Sequence, residues 1–351
     1  MNEKDLTVLE QYNLQVKNAR RGRGSFLCET DQGLIQITEF SGSKERLFFQ
    51  NRVLQYLQEQ GKRADLILEN KEGELVSEDR YGNGYVVKQW FQGRECDTKS
   101  REDIGEAVRY LAEIHQVLRL PEQKHLYAED VREQEEQMEE GKEQEEEKPA
   151  KDKEYSGEPL EEELGRHTRE MKKVRSFMRT RKQKSAFERR FLQVYDIFEA
   201  QAQEAQERLA ESGTSALYRQ CIRERRICHG DYSQHNILFD SQGTAAVNFA
   251  RCCFDTQIAD FYYFFRKIME KQGWNQKLGM EMLHIYQEVR PLGHAEFENL
   301  CIRLTYPEKF WKLSNHYFNR SKSWIPEKNL EKLETLLAQE KRRTDFVKFL
   351  H

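Results

Sequence analysis

No run in this chain of 351 residues approaches the roughly 18 consecutive apolar positions that a membrane-spanning helix needs. The opening MNEKDLTVLEQYNLQ lacks the basic start and apolar stretch of a signal peptide. A membrane protein and an exported precursor are therefore not expected. There is no Cys-x-x-Cys pair, and none of the seven cysteines (Cys28, Cys96, Cys221, Cys228, Cys252, Cys253, Cys301) has zinc-ligand spacing to a histidine cluster. Their odd number reads as small buried side chains in a reducing compartment. Apolar residues are scarce, at 37% against roughly 45–50% in ordinary domains. Aromatics nevertheless reach 11%, too many for a wholly disordered chain.

What is abundant is charge, at 34% of residues against roughly 25%. It is unevenly placed. Residues 129–163 carry 17 acids and 5 bases, a net of −12, so the rest of the chain carries +8. Residues 165–190 alone carry 11 bases and 2 acids. In that basic stretch Met171, Val174, Phe177 and Met178 keep helical spacing, which marks the buried side of an amphipathic helix. A solvated face, or pairing with the acidic block, is expected there, and neither nucleic acid nor a membrane surface is an expected partner.

Along the chain, Phe26–Thr30 and Leu34–Phe40 are β-rich runs joined by Asp31-Gln32-Gly33, the pattern of a hairpin. A helix with Leu47, Phe48, Val53, Leu54 and Leu57 at helical spacing follows, then strand candidates at Ala64–Glu69, Glu74–Ser77 and Tyr85–Trp90. Beyond Phe91-Gln92-Gly93 the character turns helical. The expected organisation is a β-rich lobe at 1–93 and a helical lobe at 94–351. Residues 122–163 are expected to form a disordered or loosely helical acidic insertion within the second lobe.

The stretch ICHGDYSQHNILFD, residues 227–240, carries the chemistry. His229-x-Asp231-x4-Asn236, followed by a tight hairpin, has the layout of a phosphotransferase catalytic loop. In that layout a loop Asp takes the proton of an attacking hydroxyl, and an Asn five residues on reaches Mg2+. A further acid after the second hairpin strand holds the Mg2+ on the nucleotide phosphates. Asp231 is the candidate base, Asn236 a metal ligand, and His229 a scaffold that ties the loop to nearby backbone. His235 is expected to face solvent. Trp90 and Phe91 form a hinge-like segment that would line an adenine pocket.

The loop resembles those of aminoglycoside phosphotransferases and choline or ethanolamine kinases. With the segments VVKQWFQGRECD, AVRYLAEIHQ and VNFARCCFDTQIADFYYFFRK, the wider chain resembles the CotS family of spore coat proteins of the clostridial type. The resemblance implies an α+β, protein-kinase-like two-lobe fold. It also implies cytoplasmic synthesis, deposition in an endospore coat and other coat proteins as partners. By the same resemblance, Asp260 caps the catalytic loop from below.

Two departures stand out. The metal-binding Asp expected 12 residues after Asn236 is Asn248, which offers a metal no charge. The strand Leu34–Phe40 carries no Lys to grip phosphates. Asp255, seven residues past Asn248, is a weak substitute. The expectation is a pseudokinase or strongly impaired kinase serving as a coat component, with no cofactor; ATP and Mg2+ would be needed only by an active form. The alternatives are an active small-molecule kinase with Asp231 as base and a nucleotide in the inter-lobe cleft, or a partner-binding module acting through the charged segments.

Overall fold

The computed structural model describes residues 3–22, 24–121, 155–319 and 325–350. The smaller lobe is a five-stranded antiparallel sheet in the order β1-β2-β3-β5-β4. Its strands are β1 (Val16–Arg21), β2 (Ser25–Thr30), β3 (Gly33–Phe40), β4 (Ser77–Glu78) and β5 (Gly84–Gln89). Alternation along the strands separates two faces. Phe26, Cys28, Ile35, Ile37, Tyr85 and Val87 point outward and are covered by Val8 and Leu9 of an N-terminal 3-10 helix, Glu3–Gln11, and by Tyr12 just after it. Ser25, Gln36, Thr38, Val86 and Lys88 share the opposite, inner face, since Gln36 pairs with Lys88 and Thr38 with both Ser25 and Val86.

Helix α1 (Lys44–Glu59) starts at Ser43, whose hydroxyl accepts the Arg46 N–H at 3.1 Å. Such a cap contributes about 1 kcal/mol. The buried stripe Leu47, Val53, Leu54 and Leu57 is continuous with a core that includes Ile104 and Leu111 of α2 (Arg101–Val117), so the lobes share one apolar interior. Residues 64–69, a strand candidate by sequence, make only single bridges, Ala64 to Ala246 and Ile67 to Lys88. They lie alongside β5 and reach the larger lobe.

The chain enters that lobe through β6 (Arg94–Glu95), reaches β7 (Ile227–Cys228) after a series of helices, and then forms the hairpin β8 (Ile237–Asp240) and β9 (Gly243–Ala246). β10 (Cys253–Phe254) pairs with β7, and β6 pairs with β8. Gly93 makes the crossing possible, because a Cβ there would stand 2.6 Å from the Phe239 carbonyl oxygen. The helices before β7 are α3 (Leu160–Thr180), α4 (Ala186–Glu211) and α5 (Thr214–Arg223). After the hairpin come α6 (Ile258–Lys271), α7 (Gln276–Val289), α8 (His294–Thr305), α9 (Glu308–Phe318) and α10 (Pro326–Leu350). A second apolar cluster joins α3 and α4 to α9 and α10 through Met171, Phe191, Phe198, Phe310 and Leu333.

Most of the acidic insertion, residues 122–154, lies outside the described residues. Its last part differs from the sequence expectation. Ser156 bridges Phe254, the Gly157 N–H donates to the Phe254 carbonyl at 2.8 Å, and Leu160 is buried as the first residue of α3. Short-range charge dominates the composition there, but Tyr155 and Leu160 supply enough apolar anchor to dock it, Tyr155 stacking on Phe49 at 4.5 Å. In the basic stretch Met171, Val174 and Met178 are buried as expected, whereas Phe177 is 44% exposed and packs edge-on against Phe318. All seven cysteines are free thiols, six buried and Cys253 half-buried. No helix among the described residues is long and apolar enough to cross a membrane.

Candidate active site

The loop between β7 and β8 sits where the two lobes meet, and its residues are held from several sides. His229 is fully buried. Its Nε2 donates to the Val247 carbonyl at 3.0 Å, and its Nδ1 accepts the Asp231 N–H at 3.2 Å. One neutral tautomer satisfies both contacts, which leaves neither nitrogen free to move a proton. Gly230 has φ +79°, and a Cβ there would meet the Arg251 carbonyl oxygen at 2.1 Å. Only glycine fits this turn.

Asp260, in the first turn of α6, lies beneath the loop. One oxygen accepts the Gly230 N–H at 2.9 Å, and the other accepts the His229 N–H and faces His115 Nε2 at 3.4 Å. His115 in turn meets the Tyr286 hydroxyl at 2.7 Å. Burial alone would raise the Asp260 pKa, but the His115 contact and the loop amides outweigh it and hold the carboxyl below the usual range. Burial pushes His115 down, so its ring tends to the neutral form.

Asp231 is half-buried at the mouth of the loop. Its Oδ1 accepts the Tyr263 hydroxyl at 3.0 Å, and Tyr263 in turn accepts from Lys267 Nζ at 2.7 Å. Asn236 Nδ2 donates to the Asp231 carbonyl at 2.8 Å, with Oδ2 at 3.4 Å. Asn248 adopts left-handed backbone, φ +67° and ψ +51°, a conformation that Asn tolerates better than most residues. Its Nδ2 donates to Asn236 Oδ1 at 2.9 Å. The two amides that occupy the expected metal positions are thus hydrogen-bonded to each other.

Two residues that sequence reasoning did not single out complete the cleft. Asp65, fully buried, accepts the Asn248 N–H at 2.9 Å and Lys88 Nζ at 3.0 Å on the same oxygen, Oδ2. Its Oδ1 has no hydrogen-bond partner among the described residues. Lys88 stands on β5 opposite Gln36, so a cation reaches the inner face from the strand next to the one that lacks it. Gln36 itself donates to the Ser25 hydroxyl at 3.2 Å. Lys88 was visible as the lone charge in the run Tyr85–Trp90, and Tyr263 and Lys267 as a pair four apart in one helix. Asp65 carried no signal, because its partners come from 23 and 183 residues away.

The remaining candidates lie at the margin. The Trp90 N–H donates to the Leu34 carbonyl at 2.8 Å, which fastens the hinge to β3. The Phe91 ring is covered by the Arg63 guanidinium at 4.8 Å, and Arg63 pairs with Asp240 at 2.6 Å, so this aromatic belongs to inter-lobe packing. His235 is exposed against Glu95. Asp255 bonds Thr256 and abuts Gly157, and its carboxyl is pushed up to about 6 by burial despite Arg303 and the Thr256 N–H.

The donor set does not suit Mg2+. That ion prefers carboxylate oxygens in octahedral array. Here Asn236 Oδ1 is taken by Asn248, Asp231 is engaged by Tyr263 and Asn236, and Asp65 is neutralised by Lys88. Among the described residues no group of three or more His, Cys, Asp or Glu is placed to hold a metal.

Comparison with known proteins agrees with the two-lobe fold. The family model described as the phosphotransferase enzyme family matches residues 19–289. An aminoglycoside phosphotransferase from Alicyclobacillus acidocaldarius superposes with a TM-score of 0.78 at 15% identity, covering 98% of this chain and 94% of the other. A spectinomycin phosphotransferase in complex with ADP and spectinomycin gives 0.58 at 12% identity, covering 97% and 94%. An amicoumacin kinase in complex with AMP-PNP and Ca2+ gives 0.52 at 12%, also covering 97% and 94%. At these identities the likeness establishes the kinase-like fold.

Proposed function

The chain belongs to the phosphotransferase enzyme family, and from that premise we propose that it is a pseudokinase of the spore coat, a member whose cleft has lost metal-dependent phosphotransfer. The observation that carries the reading is the hydrogen bond between Asn236 and Asn248. Two positions that would bind the metal satisfy each other, and neither brings a negative charge. The absence of a lysine on β3, with Gln36 tied to Ser25, removes a second contact to phosphate. Catalysis of phosphoryl transfer is mostly positioning and charge neutralisation, so losing both leaves little driving force.

Calorimetric titration of ATP with and without Mg2+ tests this. The expected outcome is no gain in affinity on adding Mg2+, with no turnover. The substitution Asn248→Asp is expected to introduce a Mg2+-dependent component. Micromolar Mg·ATP binding by the unaltered chain, with hydroxyl-dependent ADP release, would overturn the proposal and favour an active kinase with Asp231 as base. Any nucleotide held would meet Trp90 at the hinge, since Phe91 is already covered by Arg63.

The coat assignment rests on the resemblance of the loop and helical segments to coat proteins. It is tested by deleting residues 129–154, which spares the docked stretch from Tyr155 onward. Loss of coat deposition with an unchanged melting temperature would tie recruitment to the acidic block. Normal deposition would remove that block from the account.

A further inference from the structure

The side of Asp231 that faces away from Asn248 has its own electrostatic character. Tyr263 and Lys267 stand one turn apart on α6. Lys267 Nζ lies 4.0 Å from the centroid of the Tyr263 ring, and Lys312 Nζ of α9 lies 5.6 Å from the same centroid. Two ammonium groups therefore converge on the residue that hydrogen-bonds Asp231. Arg251, on the turn that packs against Gly230, is exposed nearby. Countercharge is partial. Lys312 pairs with Glu308 at 3.1 Å, while Arg266 and Lys309 share Glu270. Lys267 has no carboxylate within ion-pair distance among the described residues, and its one hydrogen bond goes to Tyr263. Its ammonium is pushed down to about 8 by burial, with Lys312, Arg266 and Lys271 adding to the effect and Asp231 opposing it. Lys312 is likewise held below its ordinary value, first by burial and then by Arg266.

Crowded, half-buried cations repel one another, and an anion placed among them relieves that cost. A polycation brought to the same place adds to it. We infer that the acceptor side of Asp231 is an anion subsite, in which Lys267 and Lys312 bind the carboxylate or phosphate group of a small molecule rather than a polyamine. Lys267 Nζ is linked to Asp231 by two hydrogen bonds through the Tyr263 hydroxyl, so a hydroxyl of a molecule anchored on the lysine can face that carboxylate. Small hydroxy acids and phosphorylated polyols have these dimensions. The inference rests on reading the loop as kinase-type, and it holds whether or not transfer survives.

Isothermal titration of the full chain at pH 7, without nucleotide or metal, separates the possibilities. The probes are glycerate for the carboxylate, glycerol 3-phosphate for the phosphate, glycerol as the neutral frame and kanamycin as the polycation. At least one anionic probe is expected to bind about tenfold or more tighter than glycerol, with no binding of kanamycin. Which anion binds tighter identifies the anchoring group. Lys267→Met is expected to lower that affinity about tenfold, Lys267→Arg to restore most of it, and Lys312→Met to weaken it several-fold. Lys341→Met, at an exposed ion pair, serves as the control and should change nothing. Kanamycin binding as tightly as the anions, or unchanged affinity in both Lys267→Met and Lys312→Met, would overturn the inference. Because neither metal nor nucleotide is present, these results do not depend on the pseudokinase reading, which stands or falls on Mg·ATP.

Discussion

Replacing Lys88 by Met breaks a buried ion pair of the smaller lobe whose carboxylate also holds the Asn248 N–H of the larger one. Asp65 is fully buried and Lys88 is 7% exposed. Asp65 Oδ2 accepts both Lys88 Nζ and the Asn248 N–H, while Oδ1 already lacks a partner. With the ammonium gone, the carboxylate retains one backbone amide and no countercharge. Removing one partner of a buried pair costs about 3–5 kcal/mol, because the other charge stays desolvated. For a chain of 351 residues that corresponds to a fall in melting temperature of about 4–7 °C. Asp65→Leu should cost a similar amount, since it strands Lys88 and leaves the Asn248 amide without its acceptor. The double variant should cost less than either single one, because only the unpaired amide remains, at about 1–3 kcal/mol. Thermal and urea denaturation of the four proteins forms a double-mutant cycle. A loss below 1 kcal/mol for Lys88→Met, or additive losses in the double variant, would refute the claim that the pair is desolvated and mutually dependent.

Asp260→Asn should destabilise the protein by about 2–4 kcal/mol, since an amide cannot accept from His229, Gly230 and His115 together. The unaltered Asp260 carboxyl is depressed in the folded state, so its stabilisation is present above the unfolded value of about 3.9 and lost as pH falls through the folded one. Acid titration of stability should therefore flatten below about pH 4 in this variant. Gly230→Ala puts a Cβ against the Arg251 carbonyl at a positive φ, and should cost about 2 kcal/mol or more. Hydrogen exchange should show the loss as faster opening of the loop amides, and unchanged protection would contradict it. Anion affinity at the Lys267 subsite should fall as pH rises through about 8, because the binding form is the protonated amine. Titration of the tighter anionic probe between pH 6.5 and 9.5 checks this, and a flat profile would exclude Lys267 as the anchor.

Much of the architecture was legible because it is local. The hairpin Ser25–Phe40, helix α1 and the loop after β7 follow from strand alternation, turn residues and a fixed spacing of His, Asp and Asn. The role of His229 as scaffold was readable from the loop pattern, and that of Asp260 came from the family resemblance, which sets it beneath the loop. What the sequence concealed were contacts between distant segments. Lys88 stands across a strand pairing from Gln36 and is taken up by Asp65, and register does not show in a linear reading. Asp65 looked like an ordinary polar position in a short strand. Residues 155–163 were misread for the opposite reason, because composition averages over a window and hides the few side chains that dock it.

The neutral residue at 248 and the pair at 65 and 88 are best understood together. The Asn248 backbone donates to the same Asp65 oxygen that binds Lys88, so a carboxylate at 248 would add a second negative charge to a cleft whose one ammonium is already paired with Asp65. It would also face Asn236 Oδ1, which now accepts from the Asn248 amide. Like charges at such separations in a desolvated cleft are strongly unfavourable unless a cation intervenes. A divalent metal meets that need where the acidic residue is present. Where it is not, Lys88 alone balances Asp65, and the cleft is closed electrostatically by side chains. Under the proposed pseudokinase reading, Asn248 is the residue that leaves the cleft balanced without a metal. On that argument Asn248→Asp should be less stable than the unaltered chain without Mg2+, and should recover stability selectively when Mg2+ is added.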